Sequence, residues 1–406
     1  MLFNLRTRKQ THYLESFSEL NAVTVSSDGQ YIAAGTIEPK PDILIWSLRR
    51  PGTSSEEAEF KPFKQFKAHR HGLKSLTFSP DSRWLLSIGH EDDKGIFLFD
   101  AQSYFAKFSQ NKSSRVVLGS QFQKAQEFFV TFGHQHLKVW RFDDDREPYS
   151  VQKEGKRILE STGFEIGKCR DKVFVGAACT RDERVFVLAR DGLMYEFNAD
   201  TREMARYIDL QLERGFGLSQ AQGKEWLLVA GAQGVVRVMS FEFDHVTTFT
   251  KPVALGHYNV PSGSDLFEQS EEQVFADCLC CLGLQDRAIS VYSDNTFFVW
   301  NIEDFQLMSV VYASICHNSE IKQIKSTKNG QFVSIGNDLT IRYWEYKDEV
   351  KPKNCLSEYL QSITHFEPVL KQSLFAQESV KEQTLLPNQP VTLKRKDQFL
   401  SQLPKR

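Results

Sequence analysis

The chain has 406 residues and a formal net charge of -2, with 41% hydrophobic and 25% charged residues. This composition excludes a disordered or fibrous protein, and the balanced charge argues against nucleic acid or an anionic membrane as a nonspecific partner. No apolar run is long enough to span a bilayer and no secretory leader follows Met1, so we expect a cytoplasmic protein. Seven scattered cysteines predict reduced thiols rather than a disulfide framework.

The first predicted element is a short strand at Leu2–Arg6, ahead of the first repeated unit. The unit that begins at Asn21 has three period-2 apolar runs separated by turn residues, which is the pattern of a three-stranded meander. The pattern recurs six more times, and we expect a fourth strand in each segment that connects one unit to the next. The seven units end at Trp46, Phe99, Trp140, Phe197, Met239, Trp300 and Trp344.

These units predict an all-β fold, a seven-bladed β-propeller of the WD40 type over residues 1–350. The last unit lacks a fourth strand, and we expect the N-terminal strand Leu2–Arg6 to supply it and so close the ring. Residues 351–406 lose the period and predict a flexible C-terminal tail, in which the apolar residues after Cys355 have the spacing of one short helix.

A histidine, a hydroxyl, an aspartate and a tryptophan recur at fixed places in the units, and this set resembles the structural tetrad of WD-repeat proteins. In such a set the carboxylate accepts from the imidazole, the imidazole engages the hydroxyl, and the hydroxyl accepts from the indole N–H, so each buried polar group is satisfied. Because the set repeats, we interpret it as a packing device rather than a hydrolase triad. In the third unit, His134 stands where the aspartate is expected. The members that we assign are His69, Ser87 and Asp93 in the second unit, Ser290, Asp294 and Trp300 in the sixth, and His317, Ser334, Asp338 and Trp344 in the last.

Two segments are candidates for partner binding. A basic stretch carries Arg70, His71 and Lys74 at the expected entrance to the second blade. The connection over residues 252–276 is longer than ordinary loops, which is typical of functional segments, and Tyr258 and Phe267 are its candidate contact residues. The alternative for the basic stretch is a solvated rim, and the alternatives for the connection are a disordered loop or one that packs across a face of the propeller.

A cysteine cluster has the spacing of some metal sites. Cys278, Cys280 and Cys281 begin an apolar predicted strand, however, so we interpret them as buried strand residues rather than zinc ligands. Strand alternation predicts that Cys278 and Cys280 point to one face and Cys281 to the other. Phosphate loops, metalloprotease helices and nucleophile elbows do not occur in the sequence. We therefore predict no enzyme activity, no metal and no cofactor.

Three classes of function are open at this point. The first is a non-catalytic WD-repeat scaffold that binds protein partners in a cytoskeletal, centrosomal or signalling assembly. The second is an RNA-associated WD-repeat factor such as a ribosome-assembly protein, for which salt-dependent RNA binding is the test. The third is a propeller enzyme, which requires a deep axial pocket with convergent carboxylates or histidines. The oligomeric state is open.

The order of landmarks also resembles the amino-terminal propeller of the mitogen-activated-protein-kinase-binding scaffold family, which includes WD-repeat spindle-pole proteins. The motifs that carry the resemblance include SSDGQYIAAG, GHQHLKVWRFDDD, RDGLMYEFN and SVYSDNTFFVWN. It covers residues 1–350 and implies a cytoplasmic scaffold at spindle poles, centrosomes or stress-kinase modules. Family members continue into a second propeller and a kinase-docking tail, neither of which we expect in this sequence, so the resemblance does not imply kinase docking here.

Overall fold

The computed structural model shows strands joined by turns, with three short 3-10 turns and no α-helix in the part of the chain that it describes. That part comprises residues 2–4, 9–12, 20–47, 62, 64–251, 276–284, 287–302, 309–315, 321–326, 331–336 and 341–345. The predicted tail over residues 351–406, with its short helix, therefore lies outside the described residues.

The strands form a hairpin and seven sheets in chain order. The hairpin comprises β1 (Leu2–Asn4) and β2 (Lys9–His12). The first sheet comprises β3 (Leu20–Val25), β4 (Tyr31–Thr36), β5 (Asp42–Ser47) and β6 (Lys64–Lys67). The second comprises β7 (Leu73–Phe78), β8 (Trp84–Gly89), β9 (Gly95–Asp100) and β10 (Phe108–Lys112). The third comprises β11 (Val117–Phe122), β12 (Phe128–Gly133), β13 (His136–Arg141) and β16 (Thr162–Gly163). Between β13 and β16 the chain forms two inserted strands, β14 (Ser150–Lys153) and β15 (Lys156–Leu159), which do not belong to this sheet.

The remaining sheets follow the same plan. The fourth comprises β17 (Phe174–Cys179), β18 (Arg184–Ala189), β19 (Leu193–Asn198) and β20 (Met204–Asp209). The fifth comprises β21 (Gly215–Gln220), β22 (Trp226–Gly231), β23 (Val235–Ser240) and β24 (His245–Thr250). The sixth comprises β25 (Cys278–Leu284), β26 (Arg287–Tyr292), β27 (Thr296–Asn301) and β28 (Ser309–Ile315). The last comprises β29 (Ile321–Ser326), β30 (Gln331–Gly336) and β31 (Ile341–Glu345).

The sheets are arranged in a ring through their first strands. β3 contacts β7, and the contacts continue through β11, β17, β21 and β25 to β29. Both β29 and β30 contact β3 again, so the ring returns to its starting sheet. Antiparallel sheets repeated around an axis in this way form a β-propeller, in which each sheet is one blade. The predicted all-β propeller is confirmed.

The described strands correct the predicted number of complete blades. Six blades have four or more strands, whereas the last unit has three. Leu2–Asn4 pairs with Lys9–His12 in a hairpin, and no described ladder joins β1 to β31, although the two strands are in contact. The described strands therefore contradict the prediction of a seven-bladed propeller closed by the strand at Leu2–Arg6. They form six complete blades, because β1 is hydrogen-bonded to β2 and not to β31.

Every first strand of a blade contains a β-bulge after its first residue. In β7, Leu73 pairs with Gly89 and Ser75 pairs with Ile88, which leaves Lys74 as the extra residue. The same shift occurs in β3, β11, β17, β21, β25 and β29. A bulge reverses the alternation of side chains beyond it. The last unit thus shares the local geometry of the six complete blades.

The bulge in β25 corrects the predicted orientation of the cysteines. It lies between Cys278 and Cys280, so Cys278 and Cys281 share one face instead of pointing to opposite faces. Both are buried in the same core cluster, beside Tyr292 and Trp300. Neither takes part in a disulfide, and burial in an apolar strand is the interpretation that the sequence favoured over a zinc site.

The second strands of the six complete blades are buried on both faces, because each blade is packed between two neighbours. All six residues of β8, and all six of β12, are buried. The outer strand β20 instead alternates between half-buried and exposed residues. Apolar runs without strict alternation are expected wherever a sheet is covered on both sides. The core therefore consists of layers between blades, which hold the loops at the ends of the strands in fixed positions.

Blade 2 carries an addition that the sequence analysis missed. The hairpin β14–β15 arises between two strands of blade 3, but β15 pairs in parallel with β10 at the outer edge of blade 2. Glu147, just before the hairpin, forms ion pairs with Arg83 of the blade 2 turn and with Arg157 of β15. The Asn111 side chain also donates to the Leu159 carbonyl at 2.6 Å. These contacts join blades 2 and 3 at their outer edge.

A four-residue ion network joins blades 4 and 5. Glu196 is buried and accepts at 2.6 Å from the Nε–H groups of both Arg184 and Arg206. The same two guanidinium groups donate to the carbonyl of Phe241, and both pair with Glu242, in the turn of blade 5. Because Glu196 meets two fixed cations, its carboxylate is compensated despite its burial.

Candidate functional site

The tetrad residues predicted in blade 2 come together in the structure. His69 lies between Asp93, whose Oδ2 is 2.5 Å from Nδ1, and Ser87, whose Oγ is 2.6 Å from Nε2. His69 precedes β7, Ser87 lies on β8 and Asp93 lies in the turn before β9, so the contact ties three segments together. Phe99 stands in the place of the tryptophan and stacks with Phe97, which contacts the imidazole edge-on.

The environment of Asp93 favours its charged form. Burial alone raises the pKa of this carboxyl, but the hydrogen bond with His69 and the one from the Arg70 backbone N–H bring the pKa below its ordinary value. Because the carboxylate can only accept, Nδ1–H of His69 donates to Asp93. A Cβ at Gly89 would lie 2.2 Å from Asp93 Oδ2 and 2.6 Å from His69 Nδ1, so only glycine fits there.

The serine, histidine and aspartate are hydrogen-bonded in the order of a hydrolytic triad, but unlike the members of such a triad they are inaccessible to a substrate. Ser87 is 0% exposed and His69 is 3% exposed. A nucleophile must reach its substrate, and a general base must take part in proton transfer at the same place. The buried set in blade 2 therefore holds strands together.

Blade 3 contains a buried set that the sequence analysis missed. The indole N–H of Trp140 donates to Thr131 Oγ1 at 2.9 Å, and Thr131 Oγ1 lies 2.8 Å from His136 Nε2. His136 Nδ1 lies 3.3 Å from the hydroxyl of Ser113. Ser113 precedes β11 by four residues, as His69 precedes β7, and His136 begins β13 as Gly95 begins β9. The imidazole thus comes from the third strand instead of from the loop before the first.

His136 is held in its neutral form. Burial, reinforced by the positive charge of Lys138, lowers the pKa of His136 from 6.5 to about 4. Its ring is 3% exposed. His134, which the sequence predicted at the aspartate position, is instead half-buried in the turn between β12 and β13, where it bridges to Val173. The sequence does contain a signal for this set: His136 lies four residues before Trp140, and Thr131 lies nine residues before Trp140.

Blade 6 keeps the tryptophan–serine contact and uses its aspartate differently. The indole N–H of Trp300 donates to Ser290 Oγ at 2.7 Å. Asp294 pairs with Lys251 and accepts from the Thr296 hydroxyl at 2.6 Å. Burial raises the pKa of Asp294, but these two partners bring it below its ordinary value. Lysine here replaces histidine as the partner of the aspartate.

Only part of the predicted set in the last unit can be placed. Ser334 is buried on β30, and Trp344 lies on β31. His317 and Asp338 lie outside the described residues. The same is true of Tyr258 and Phe267, the candidate contact residues of the long connection.

One end of the ring presents the turns between second and third strands together with the connections between blades. We call this end the connection face, and its described residues are 37–41, 68–72, 90–94, 113–116, 134–135, 164–173, 190–192, 210–214, 232–234, 251, 276–277 and 293–295. Backbone hydrogen bonds run from blade to blade along it. For example, Lys40 N–H donates to Arg70 O, Gly72 N–H donates to Glu38 O, and Ser113 N–H donates to Lys94 O. The loops of this face are thereby fixed by their own backbones.

The predicted basic residues lie on or beside the connection face. Arg70 and His71 are exposed, and His71 forms an isolated bridge with Pro39 of blade 1. Lys74 is half-buried and is the bulged residue of β7. The backbones of these residues are engaged in the face, while the side chains of Arg70 and His71 are exposed to solvent.

The described residues contain no group of histidine, cysteine and acidic side chains arranged to hold a metal ion. Within the same part of the chain, no helix has the length and apolar character needed to cross a membrane.

Comparison with known proteins gives relatives for this propeller. The family described as WD domain, G-beta repeat matches residues 60–100, which run from the outer strand of blade 1 to the third strand of blade 2. Mitogen-activated protein kinase-binding protein 1 of Mus musculus is 27% identical over 364 residues, covering 85% of this chain and 23% of the relative. WD repeat-containing protein 62 of Sus scrofa is 25% identical over 390 residues, covering 90% of this chain and 24% of the relative.

A shorter match and a solved structure complete the comparison. Cilia- and flagella-associated protein 52 of Mus musculus is 25% identical over 174 residues, covering 39% of this chain and 26% of the relative. The chain thus spans about a quarter of the length of these curated relatives. The β-propeller domain of Cps50 (Swd1) from Myceliophteria thermophila aligns with a TM-score of 0.60 at 13% identity, covering 82% of this chain and 98% of that domain, which shows the fold alone. The chain has a β-propeller fold with a match to the WD domain, G-beta repeat family at residues 60–100, and it resembles mitogen-activated protein kinase-binding protein 1 and WD repeat-containing protein 62 over most of its length.

Proposed function

We propose that this chain is a non-catalytic WD-repeat scaffold that binds protein partners in a cytoskeletal or signalling assembly of the cytoplasm, with the centrosome as one such place. The observation that carries the proposal is the similarity, over 85% and 90% of the chain, to a protein named for mitogen-activated protein kinase binding and to WD repeat-containing protein 62. The partial match to a cilia- and flagella-associated protein supports the cytoskeletal assignment.

The geometry supports binding rather than catalysis. The one serine–histidine–aspartate set that the described residues bring together is closed to substrates by burial. The connection face, in contrast, combines a fixed backbone with exposed charged side chains. A surface that is already ordered loses less conformational entropy when it binds, which favours recognition of a partner. Arg70, His71 and Lys74 are the residues that we assign to this contact.

Proximity labelling in cells tests the proposal. We expect the full chain to label a reproducible set of proteins, and the triple variant Arg70→Ala, His71→Ala, Lys74→Ala to lose part of that set. Arg181→Ala is the matched control, because Arg181 is exposed in the turn between β17 and β18, away from the connection face. Equal labelling by the triple variant and the wild type would contradict the assignment of these residues.

A second arm of the experiment separates protein binding from RNA binding. Crosslinked RNA is recovered from the same cells, and binding of the purified chain to single-stranded RNA is measured across salt concentrations. Phosphate contacts make RNA affinity fall steeply with salt. RNA recovery that depends on Arg70, His71 and Lys74, without a protein partner, would favour the RNA-associated alternative and contradict the proposal.

A further inference from the structure

A cavity of about 320 Å³ opens on the connection face among blades 2, 3 and 4. Its polar lining comprises Lys94, Ser114, Arg115, His134, Gln135 and Asp171. Pockets that hold small ligands or parts of ligands begin at about this size. None of these residues belongs to the buried sets, and the cavity is separate from Arg70 and His71, which do not line it.

The charge of the lining is unbalanced toward positive. Lys94 and Arg115 are cationic side chains and the imidazole of His134 adds an N–H donor, against the single carboxylate of Asp171. Neither Lys94 nor Arg115 forms an ion pair with any acidic side chain of the described residues. Ser114 and Gln135 add neutral hydrogen-bond donors. A positive cavity whose cations are not already neutralised within the fold favours an anionic ligand.

The backbone holds these side chains in place. Ser113 N–H donates to Lys94 O at 2.9 Å, His134 N–H donates to Val116 O at 2.9 Å, and Gln135 N–H donates to Lys172 O at 3.1 Å. Lys94 and Gln135 adopt left-handed conformations, with φ of 52° and 51°. The three blades thus approach each other through fixed turns, so a ligand meets donors that are already ordered.

On these observations, and resting on the proposed function above, we infer that the cavity binds the phosphate of a phosphorylated serine or threonine in a peptide of the partner protein. A phosphate monoester carries nearly two negative charges and three acceptor oxygens. As a ligand it can therefore accept from an arginine, a lysine and neutral donors together, whereas a carboxylate ligand offers one charge and two oxygens. Arginine can bind two of its oxygens at once.

Asp171 distinguishes a peptide from a polyanion. A carboxylate in the lining repels a nucleic acid backbone, whose charges repeat without any cation between them. A peptide instead offers backbone N–H groups and lysine side chains, which can donate to Asp171 while the phosphate binds Arg115 and Lys94. The site therefore favours a phosphorylated residue followed or preceded by a basic one.

The test uses the full chain and fluorescein-labelled nine-residue peptides of glycine and alanine with one lysine and a central phosphoserine, serine or glutamate. Fluorescence anisotropy at low salt measures their affinities. We expect the phosphoserine peptide to bind at least about tenfold more tightly than the other two, because charge-assisted hydrogen bonds are made only to it. Comparable binding of the serine peptide, or of the glutamate peptide, overturns the inference.

Variants locate the binding. Arg115→Ala is expected to weaken the phosphoserine peptide by about tenfold. Arg214→Ala is the matched control, because Arg214 is exposed on the connection face but does not line the cavity, and it is expected to change affinity less than about twofold. Asp171→Asn is expected to reduce the affinity advantage of the phosphoserine peptide over the same peptide with alanine in place of its lysine. Equal losses in Arg115→Ala and Arg214→Ala, or displacement of the peptide by single-stranded RNA at equal concentration, overturn the inference.

The outcome is separable from that of the proposed function. If phosphopeptides fail to bind while the full chain still labels its partner proteins in cells, the phosphate site is wrong and the scaffold role stands. If the chain labels no partner protein, the scaffold role fails whatever the peptides show in solution.

Discussion

The neutral, buried His136 makes blade 3 sensitive to acid. Its pKa is about 4 in the folded chain, against 6.5 for an exposed histidine. Between these values the unfolded chain binds a proton that the folded chain does not, so the contribution is fully present above pH 6.5 and is lost as the pH falls toward 4. Each pKa unit corresponds to about 1.4 kcal/mol, so going from pH 7.5 to pH 5 costs about 2 kcal/mol from this residue.

Urea unfolding followed by tryptophan fluorescence at the two pH values measures this loss. In His136→Gln we expect the difference in unfolding free energy between pH 7.5 and pH 5 to shrink by about 2 kcal/mol relative to the wild type. Trp140→Phe is the control, because it removes the bond to Thr131 without removing a titrating group. It is expected to lower stability by about 1 kcal/mol equally at both pH values. An unchanged pH difference in His136→Gln would refute the reasoning.

Three further predictions concern stability. Glu196→Gln is expected to lower the unfolding free energy by about 2 kcal/mol, because Arg184 and Arg206 then lose the negative charge to which both donate. Faster hydrogen exchange of the backbone amides in β18 and β20 is the measurement that checks this prediction. Ser290→Ala leaves the indole N–H of Trp300 unpaired, which costs about 1–3 kcal/mol in urea unfolding. Gly89→Ala places a methyl group against Asp93 and His69 and is expected to lower the thermal midpoint by several degrees. Gly163→Ala is the control, because the space around Gly163 is open, and it is expected to change the midpoint little. Similar midpoints for the two variants would contradict the crowding at Gly89.

The sequence was sufficient for the elements whose signal repeats. Each unit carries its own turns and apolar runs, so the propeller could be predicted from periodicity. The set of His69, Ser87 and Asp93 could also be predicted, because its members keep fixed distances from the ends of their strands. The structure brings these three side chains within hydrogen-bonding distance.

The features that the sequence did not reveal depend on contacts between distant segments. In blade 3, His136 on the third strand takes the role of the histidine while Ser113 stands where His69 stands in blade 2, and a search that expects the histidine before the first strand does not find it. The bulge in β25 changes the orientation of Cys281 through its pairing with β26. The hairpin β14–β15 leaves its own blade to pair with blade 2, which no local pattern indicates. Likewise, Leu2–Asn4 could pair with β2 or with β31, and the sequence does not indicate that it pairs with β2.

The account depends most on the statement that the connection face binds a protein partner. Site-specific photocrosslinking of the full chain in cells tests it directly, with the crosslinking amino acid placed at Arg70 in one experiment and at Arg181 in the other. We predict crosslinks to protein from position 70 and none from position 181, because Arg181 lies at the opposite end of the strands. Crosslinks to protein from position 181 alone, or to RNA alone from position 70, would contradict the account.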